Sequence, residues 1–164
     1  SRPMPAWSSR SMSRIYEALV KGEISVSGTV TANIDRNPRD RKKMAVVEGG
    51  RPATSHYRRI RRLPGTSHIE VSLESGRTHQ IRVHMTHIGH PIVGDPLYGR
   101  GPVRQKGLPA SAAGAINAFP RQALHARTLK LIHPASKEHC EFVAPLADDI
   151  AGLLATLSQT VSEA

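Results

Sequence analysis

A short cationic segment contains the residues of this sequence best suited to chemistry. Within GRTHQIRVH, residues 76–84, two arginines and a histidine (Arg77, Arg82 and His79) lie within six positions of one another. Guanidinium groups form paired hydrogen bonds with phosphate or carboxylate oxygens. The segment therefore predicts a site that binds a polyanion or holds a buried carboxylate.

Two elements must position these cations. Before Gly76, residues 69–74 alternate between apolar and polar side chains, which predicts a strand. After it, Ile81, Met85 and Ile88 recur at i, i+4 and i+7, which predicts a helix with one apolar face in the core. A half-buried helix fixes the directions of its polar side chains, so the cations are expected to be exposed and held in place.

Other residue types that carry chemistry are sparse. His84, His87 and His90 are spaced by three, as some zinc ligands are, but no acidic or cysteine ligand accompanies them, so no metal is expected. Cys140 is the single cysteine. It cannot form an internal disulfide, and a lone cysteine is more often a packed thiol than a nucleophile. A reduced, cytoplasmic setting is the expectation.

Length and charge limit the function further. A chain of 164 residues forms one domain or a piece of a larger one, and it contains no apolar stretch long enough to cross a membrane. The net charge of +10 indicates a polyanionic partner. Residues 36–62 contain ten Lys or Arg against Asp40 and Glu48, which predicts a phosphate-binding surface rather than an ordinary solvated face.

The remaining segments are predicted from periodicity and turn residues. Residues 1–13 are expected to be a disordered or non-native leader, and residues 99–120, rich in Gly and Pro, a long surface insertion. Strands are predicted at residues 14–20, 24–34, 53–63, 123–133 and 141–144. A turn joins the first two, and the third is expected to be an edge strand or a strand exposed on one face. A final amphipathic helix is predicted to include Ile150, Leu153, Leu154 and Leu157.

The segment GRTHQIRVHM followed by HIGHPIVGDPLYG resembles a conserved motif of the RluA-type (RluC/RluD-like) pseudouridine synthases that modify large-subunit ribosomal RNA. RIYEALV, RPATSHYRRI, RQALHARTLKLIHP and FVAPLADD also resemble segments of that family. The resemblance implies an α+β domain with a mixed, largely antiparallel bent sheet and flanking helices. Residues 14–164 are then the C-terminal part of the catalytic domain, with ribosomal RNA as the partner and a monomeric state.

The resemblance also implies a reaction that needs no cofactor and a set of site residues. Tyr16 matches the tyrosine that stacks on the flipped base, and Arg82 matches the arginine that pairs with the catalytic aspartate. This assignment requires that Arg82 share a groove with Tyr16 and make no local ion pair. Arg77 and His79 either contact RNA or cap the turn. The expected RNA-binding residues are Arg41, Lys42, Lys43, Arg58, Arg77 and His79.

The catalytic aspartate of the family lies in an H-R-L-D-type segment, and no R-L-D occurs in this sequence. Asp95 is expected to stabilise the GDPLYG turn, and Asp148 and Asp149 to lie at the start of the last helix. The chain is therefore expected to be inactive alone. A non-catalytic RNA-binding module is the alternative function, and a DNA-binding protein is a third.

Overall fold

The computed structural model describes residues 12–99, 101, 103, 107–132 and 135–162. These residues form eight strands and three helices, which confirms the predicted α+β class. The elements are β1 (Met12–Lys21), β2 (Ser27–Thr31), β3 (Ile34–Arg36), β4 (Met44–Val46), β5 (Thr54–Leu63), β6 (Thr66–Leu73), α1 (Gln80–His87), α2 (Ala110–Ala118), β7 (Leu124–Ile132), β8 (His139–Val143) and α3 (Asp148–Ser162).

Six strands form one sheet in the order β2-β5-β6-β1-β7-β8, and each neighbouring pair is antiparallel. In β1, the consecutive residues Ala18, Leu19 and Val20 are all buried. Consecutive apolar residues direct side chains to both faces, so this strand is stable only where both faces are covered. β3 and β4 form a separate antiparallel hairpin that contains the cationic loop, residues 37–43.

The helices cover the sheet with their apolar positions. Ile81 and Met85 of α1 are buried in the main core, as the i, i+4 spacing predicts. A second, smaller core joins the β3–β4 hairpin to α1 through Ile34 and Val83. Among the described residues, no helix has the length and apolar character that a membrane crossing requires.

Several predictions about the organisation of the chain are wrong. The insertion at residues 99–120 contains α2, whose Ala112 and Ile116 are buried in the main core. The alternating run of residues 24–34, predicted as one strand, is divided between β2 and β3. β5 lies inside the sheet, exposed on one face, so only the one-sided alternative is confirmed.

The leader predicted for residues 1–13 is described only in part. Residues 1–11 lie outside the described residues, whereas residues 12 and 13 belong to β1. Asp148 and Asp149 occupy the first turn of α3, as predicted, where acidic side chains interact favourably with the helix dipole.

Candidate functional site

The turn from β6 to α1 is held by the buried side chain of Gln80. Its Oε1 accepts hydrogen bonds from the Ser75 hydroxyl at 2.8 Å and the Arg77 backbone N–H at 3.0 Å, and its Nε2 donates to Thr54 O and Ser55 Oγ at 3.0 Å each. All four hydrogen-bonding positions of the amide are occupied, so the turn is tightly fixed. Gln80 was not among the predicted site residues.

This turn opens onto a cavity of about 350 Å³ between α1 and the sheet. The lining residues are Arg14, Tyr16, Leu73, Gly76, Arg77, His79, Gln80, Ile81, Arg82, Gln122 and Leu124. The structure thus brings together four predicted site residues, Tyr16, Arg77, His79 and Arg82. None of the lining residues is acidic. The lining residues therefore supply cations but no carboxylate to the cavity.

Arg82 is not the exposed, unpaired cation that the sequence predicts. Its side chain is 11% exposed, and its Nε and Nη2 donate to the two carboxylate oxygens of Asp95 at 2.8 Å each. Of the two conditions set for Arg82, the shared groove with Tyr16 is met, whereas the absence of a local ion pair is not. Within the described residues Arg82 pairs with Asp95, and only its Nη1 group lacks a hydrogen bond to them.

Asp95 stabilises its turn, as predicted. Its Oδ1 also accepts the backbone N–H groups of Leu97 at 2.9 Å and Tyr98 at 3.1 Å. Burial opposes ionisation of this carboxyl, but Arg82 and the two amides outweigh burial and hold the pKa of Asp95 below its ordinary 3.8. The hydrogen bonds that Arg82 donates to Asp95 raise the pKa of Arg82. Asp95 does not line the cavity, so it is not positioned to act on a ligand there.

Two histidines of the predicted segment, His84 and His79, form hydrogen bonds within the protein. His84 is fully buried, its Nδ1 lies 2.8 Å from Ser55 Oγ, and its Nε2 lies 2.9 Å from Ala32 O. Burial lowers the pKa of His84. His79 is the N-cap residue of α1, but its side chain makes no capping hydrogen bond, and its Nδ1 instead lies 2.9 Å from Tyr98 Oη.

The cationic loop lies at the tip of the β3–β4 hairpin. The loop is ordered by its own polar groups: Asn37 N–H donates to Lys43 O at 2.9 Å, and Lys42 N–H donates to Asp40 Oδ1 at 3.2 Å. The side chains of Arg41 and Lys42 are exposed, and that of Lys43 is half-buried. The hairpin contacts the site directly, because Met44 N–H donates to Tyr98 Oη at 2.9 Å.

Arg58 lies on the other face of the sheet. It pairs in register with Glu70, which pairs with Glu17, the neighbour of Tyr16 in β1. Because successive side chains of a strand point to opposite faces, Arg58 is on the face away from Tyr16. There it contacts Glu70 at 3.3 Å, and Arg127 contacts the same carboxylate at 2.9 Å. The structure does not bring Arg58 to the cavity.

Comparison with known proteins identifies the family. Residues 4–87 match the family model described as RNA pseudouridylate synthase. The chain belongs to the RNA pseudouridylate synthase family. The match contains Tyr16, Arg77, His79 and Arg82, the four predicted site residues that line the cavity.

Individual relatives agree with the family assignment. The chain is 50% identical over 154 residues to the ribosomal large subunit pseudouridine synthase D of Pseudomonas aeruginosa, covering 92% of this chain and 47% of that protein. The Escherichia coli K12 protein of the same name is 42% identical over 154 residues, covering 94% of this chain and 47% of that one. The chain thus spans about half the length of these relatives.

Solved structures share the fold. Human RNA pseudouridylate synthase domain containing 1 superposes with a TM-score of 0.69 at 26% identity, over 94% of this chain and 66% of that one. Human RNA pseudouridylate synthase domain containing 4 gives 0.68 at 22% identity, over 90% and 62% of the two chains. The antiparallel sheet and its helices are therefore those of pseudouridylate synthase domains.

Proposed function

We propose that this chain is part of an enzyme that isomerises uridine to pseudouridine in large-subunit ribosomal RNA. One observation carries the proposal: Tyr16, Arg77, His79 and Arg82 line a single cavity in a chain of the pseudouridylate synthase family. The names of the bacterial relatives support large-subunit ribosomal RNA as the substrate.

The isomerisation breaks the bond between the sugar and N1 of the base, turns the base over, and joins it to the sugar through carbon 5. The uridine must leave the RNA stack to enter a cavity of this size. Tyr16 stacks on the extruded base and is a candidate for proton transfer. Arg77 and the Nη1 group of Arg82 bind phosphate or carboxylate oxygens at the cavity, while Asp95 keeps the Arg82 guanidinium in place.

The reaction requires a carboxylate that the lining residues do not supply. We propose that the 164-residue chain alone does not isomerise uridine. Tritium release from ribosomal RNA labelled at carbon 5 of uridine tests this: the purified chain is expected to release none, with the full-length Pseudomonas aeruginosa relative as the positive control. Turnover by the chain alone contradicts its proposed inactivity.

A fusion tests the catalytic assignment. When this chain replaces the matched region of the Pseudomonas aeruginosa relative, tritium release is expected, and Tyr16→Phe and Arg82→Ala are expected to reduce it. Turnover equal to the unmodified fusion in both variants would remove the two assignments. Unfolding of each variant is followed in parallel, because Arg82→Ala also breaks a buried ion pair.

A non-catalytic RNA-binding module is the second candidate function. It is favoured by the exposed loop cations Arg41 and Lys42 together with a cavity whose lining residues include no carboxylate. A fusion that folds and binds ribosomal RNA but releases no tritium would support this function over the enzymatic one.

A further inference from the structure

Tyr98 contacts both the cavity residues and the hairpin that contains the cationic loop. Its aromatic ring lies beneath Arg82, with the guanidinium carbon 5.0 Å from the ring centroid. The ring also meets the edge of His79, with centroids 5.6 Å apart and planes at 78°. An aromatic face attracts a cation at this distance, so the ring supports Arg82 in addition to Asp95.

The hydroxyl of Tyr98 joins two elements that are distant in sequence. Oη accepts the backbone N–H of Met44 at 2.9 Å and lies 2.9 Å from Nδ1 of His79. With the Met44 N–H already directed at the oxygen, the hydroxyl proton points to Nδ1. A neutral His79 that accepts at Nδ1 has its proton on Nε2, so the ring offers a single N–H donor to a ligand.

Two further features of His79 fit this arrangement. Its φ is 55°, in the left-handed region that a residue with a side chain occupies at a cost in free energy. A histidine thus occupies a backbone conformation that favours glycine. Burial, aided by the Arg82 charge, lowers the pKa of His79, which favours the neutral ring.

The same hydroxyl fixes the cationic loop. Met44 is the first residue of β4 and follows Lys43 directly. Met44, Val46 and Tyr98 also pack against the small core of Ile34, Ala53 and Val83. The hairpin that contains the loop and the cavity histidine are therefore hydrogen-bonded to the same side chain.

We propose that Tyr98 is a positioning residue of the RNA site: its hydroxyl sets the Nε2–H tautomer of His79 and holds the cationic loop beside the cavity, while its ring supports Arg82. This inference rests on the proposed function, since it assumes that the loop and the cavity bind the same RNA. Tyr98 is predicted by no periodicity, but it lies in the GDPLYG segment, where the turn of Asp95 brings it back to α1.

Tyr98→Phe in the 164-residue chain tests the proposal, because it keeps the ring and removes the hydroxyl. Nitrogen-15 NMR of the histidine rings is expected to show His79 as the Nε2–H tautomer in the unmodified chain and as a mixture in the variant. Binding of a stem-loop of large-subunit ribosomal RNA, followed by fluorescence anisotropy, is expected to weaken about 3- to 10-fold, the typical effect of removing one hydrogen bond. The slope of log K against log salt concentration is expected to become shallower by about 0.7 for each RNA phosphate that the variant no longer neutralises.

Tyr57→Phe is the matched control. Tyr57 Oη also forms a side-chain hydrogen bond, to Ser25 Oγ, but it does not contact the cavity histidine or the loop. This variant is expected to leave the His79 tautomer and the salt dependence unchanged. A Tyr98→Phe variant with both quantities unchanged would overturn the proposal.

A double-mutant cycle with His79→Ala gives a second measurement that does not depend on the NMR spectrum. If Tyr98 acts through His79, Tyr98→Phe weakens RNA binding less in the His79→Ala chain than in the unmodified chain. Equal losses in both backgrounds would overturn that half of the proposal. Failure of the unmodified chain to bind RNA would instead contradict the proposed function, and the tautomer would still decide the role of the hydroxyl.

Discussion

Two arginine–carboxylate pairs on opposite faces of the sheet differ in what surrounds them. The Asp95 side chain is fully buried beside the cavity and engages two nitrogens of Arg82. On the opposite face, Arg58 is 62% exposed and makes one contact of 3.3 Å to Glu70. The first pair holds a guanidinium in one orientation, whereas in the second the arginine is largely solvated and its carboxylate, which is 23% exposed, is shared with Arg127. Burial and pairing, rather than charge alone, separate the site from the rest of a basic surface.

Asp95→Asn should have the largest effect of the variants that test this comparison. It leaves the buried Arg82 charge without a carboxylate, which typically costs about 3–5 kcal/mol of unfolding free energy. The free energy of unfolding in urea measures the loss. Glu70→Gln is the matched change on the opposite face, where it removes the carboxylate shared by the exposed Arg58 and the partly exposed Arg127; both arginines keep water contacts, so it should cost about 1 kcal/mol or less. Equal losses at the two positions would contradict the comparison.

Arg77→Ala should have the next largest effect, on RNA binding. Arg77 lines the cavity, and its Nε donates to Pro52 O at 3.0 Å, which fixes the guanidinium. Removal of one charged group from the binding surface is expected to lower the affinity for ribosomal RNA about tenfold. The slope of log K against log salt concentration is expected to become shallower by about 0.7. Arg62→Ala, which removes the same charge from β5 where Arg62 pairs with Glu23, serves as the control in the same anisotropy titration.

The buried His84 and the partly buried His68 lie on opposite faces of the sheet, and their pH dependence compares the two faces. Burial lowers the pKa of His84 and of His68 below the ordinary 6.5, but Glu17 opposes the shift at His68. The unfolded chain therefore takes up protons first as the pH falls. The contribution of the two histidines to the free energy of unfolding is complete above pH 6.5, and it is lost as the pH falls from 6.5 towards their folded pKa values. His84→Gln should flatten this decline in unfolding free energy more than His68→Gln. The reverse order would show that the carboxylate does not offset burial.

The local features of the site could be predicted from the sequence because they repeat over a few residues. The alternation of residues 69–74 correctly predicted β6, and the apolar stripe containing Ile81 and Met85 correctly predicted the buried face of α1. The turn role of Asp95 followed from its segment. Long-range partners could not be predicted in this way, since neither the pairing of β1 with β6 and β7 nor the bond from Met44 to Tyr98 leaves a periodic signal.

Composition was the weaker guide. Residues 99–120 are rich in Gly and Pro, which indicated a loop, but they also contain an alanine-rich stretch. In that stretch Ala112 and Ile116, at i and i+4, lie on the buried face of α2. The density of cations in residues 36–62 likewise did not separate loop residues from strand residues. Arg41 belongs to a loop tied to the cavity through Tyr98, whereas Arg58 lies across the sheet, and only strand register separates them.

Arg58→Ala is expected to have the smallest effect. Its side chain is mostly exposed, and Arg127 continues to neutralise Glu70 at 2.9 Å after Arg58 is removed. The free energy of unfolding should change by no more than about 0.5 kcal/mol. RNA affinity should stay within about twofold of the unmodified chain, because the missing charge is on the face away from Tyr16 and is screened by salt at that distance. A loss as large as that of Arg77→Ala would mean that RNA contacts both faces, and the division of this basic surface into a binding face and a solvated face would then be wrong.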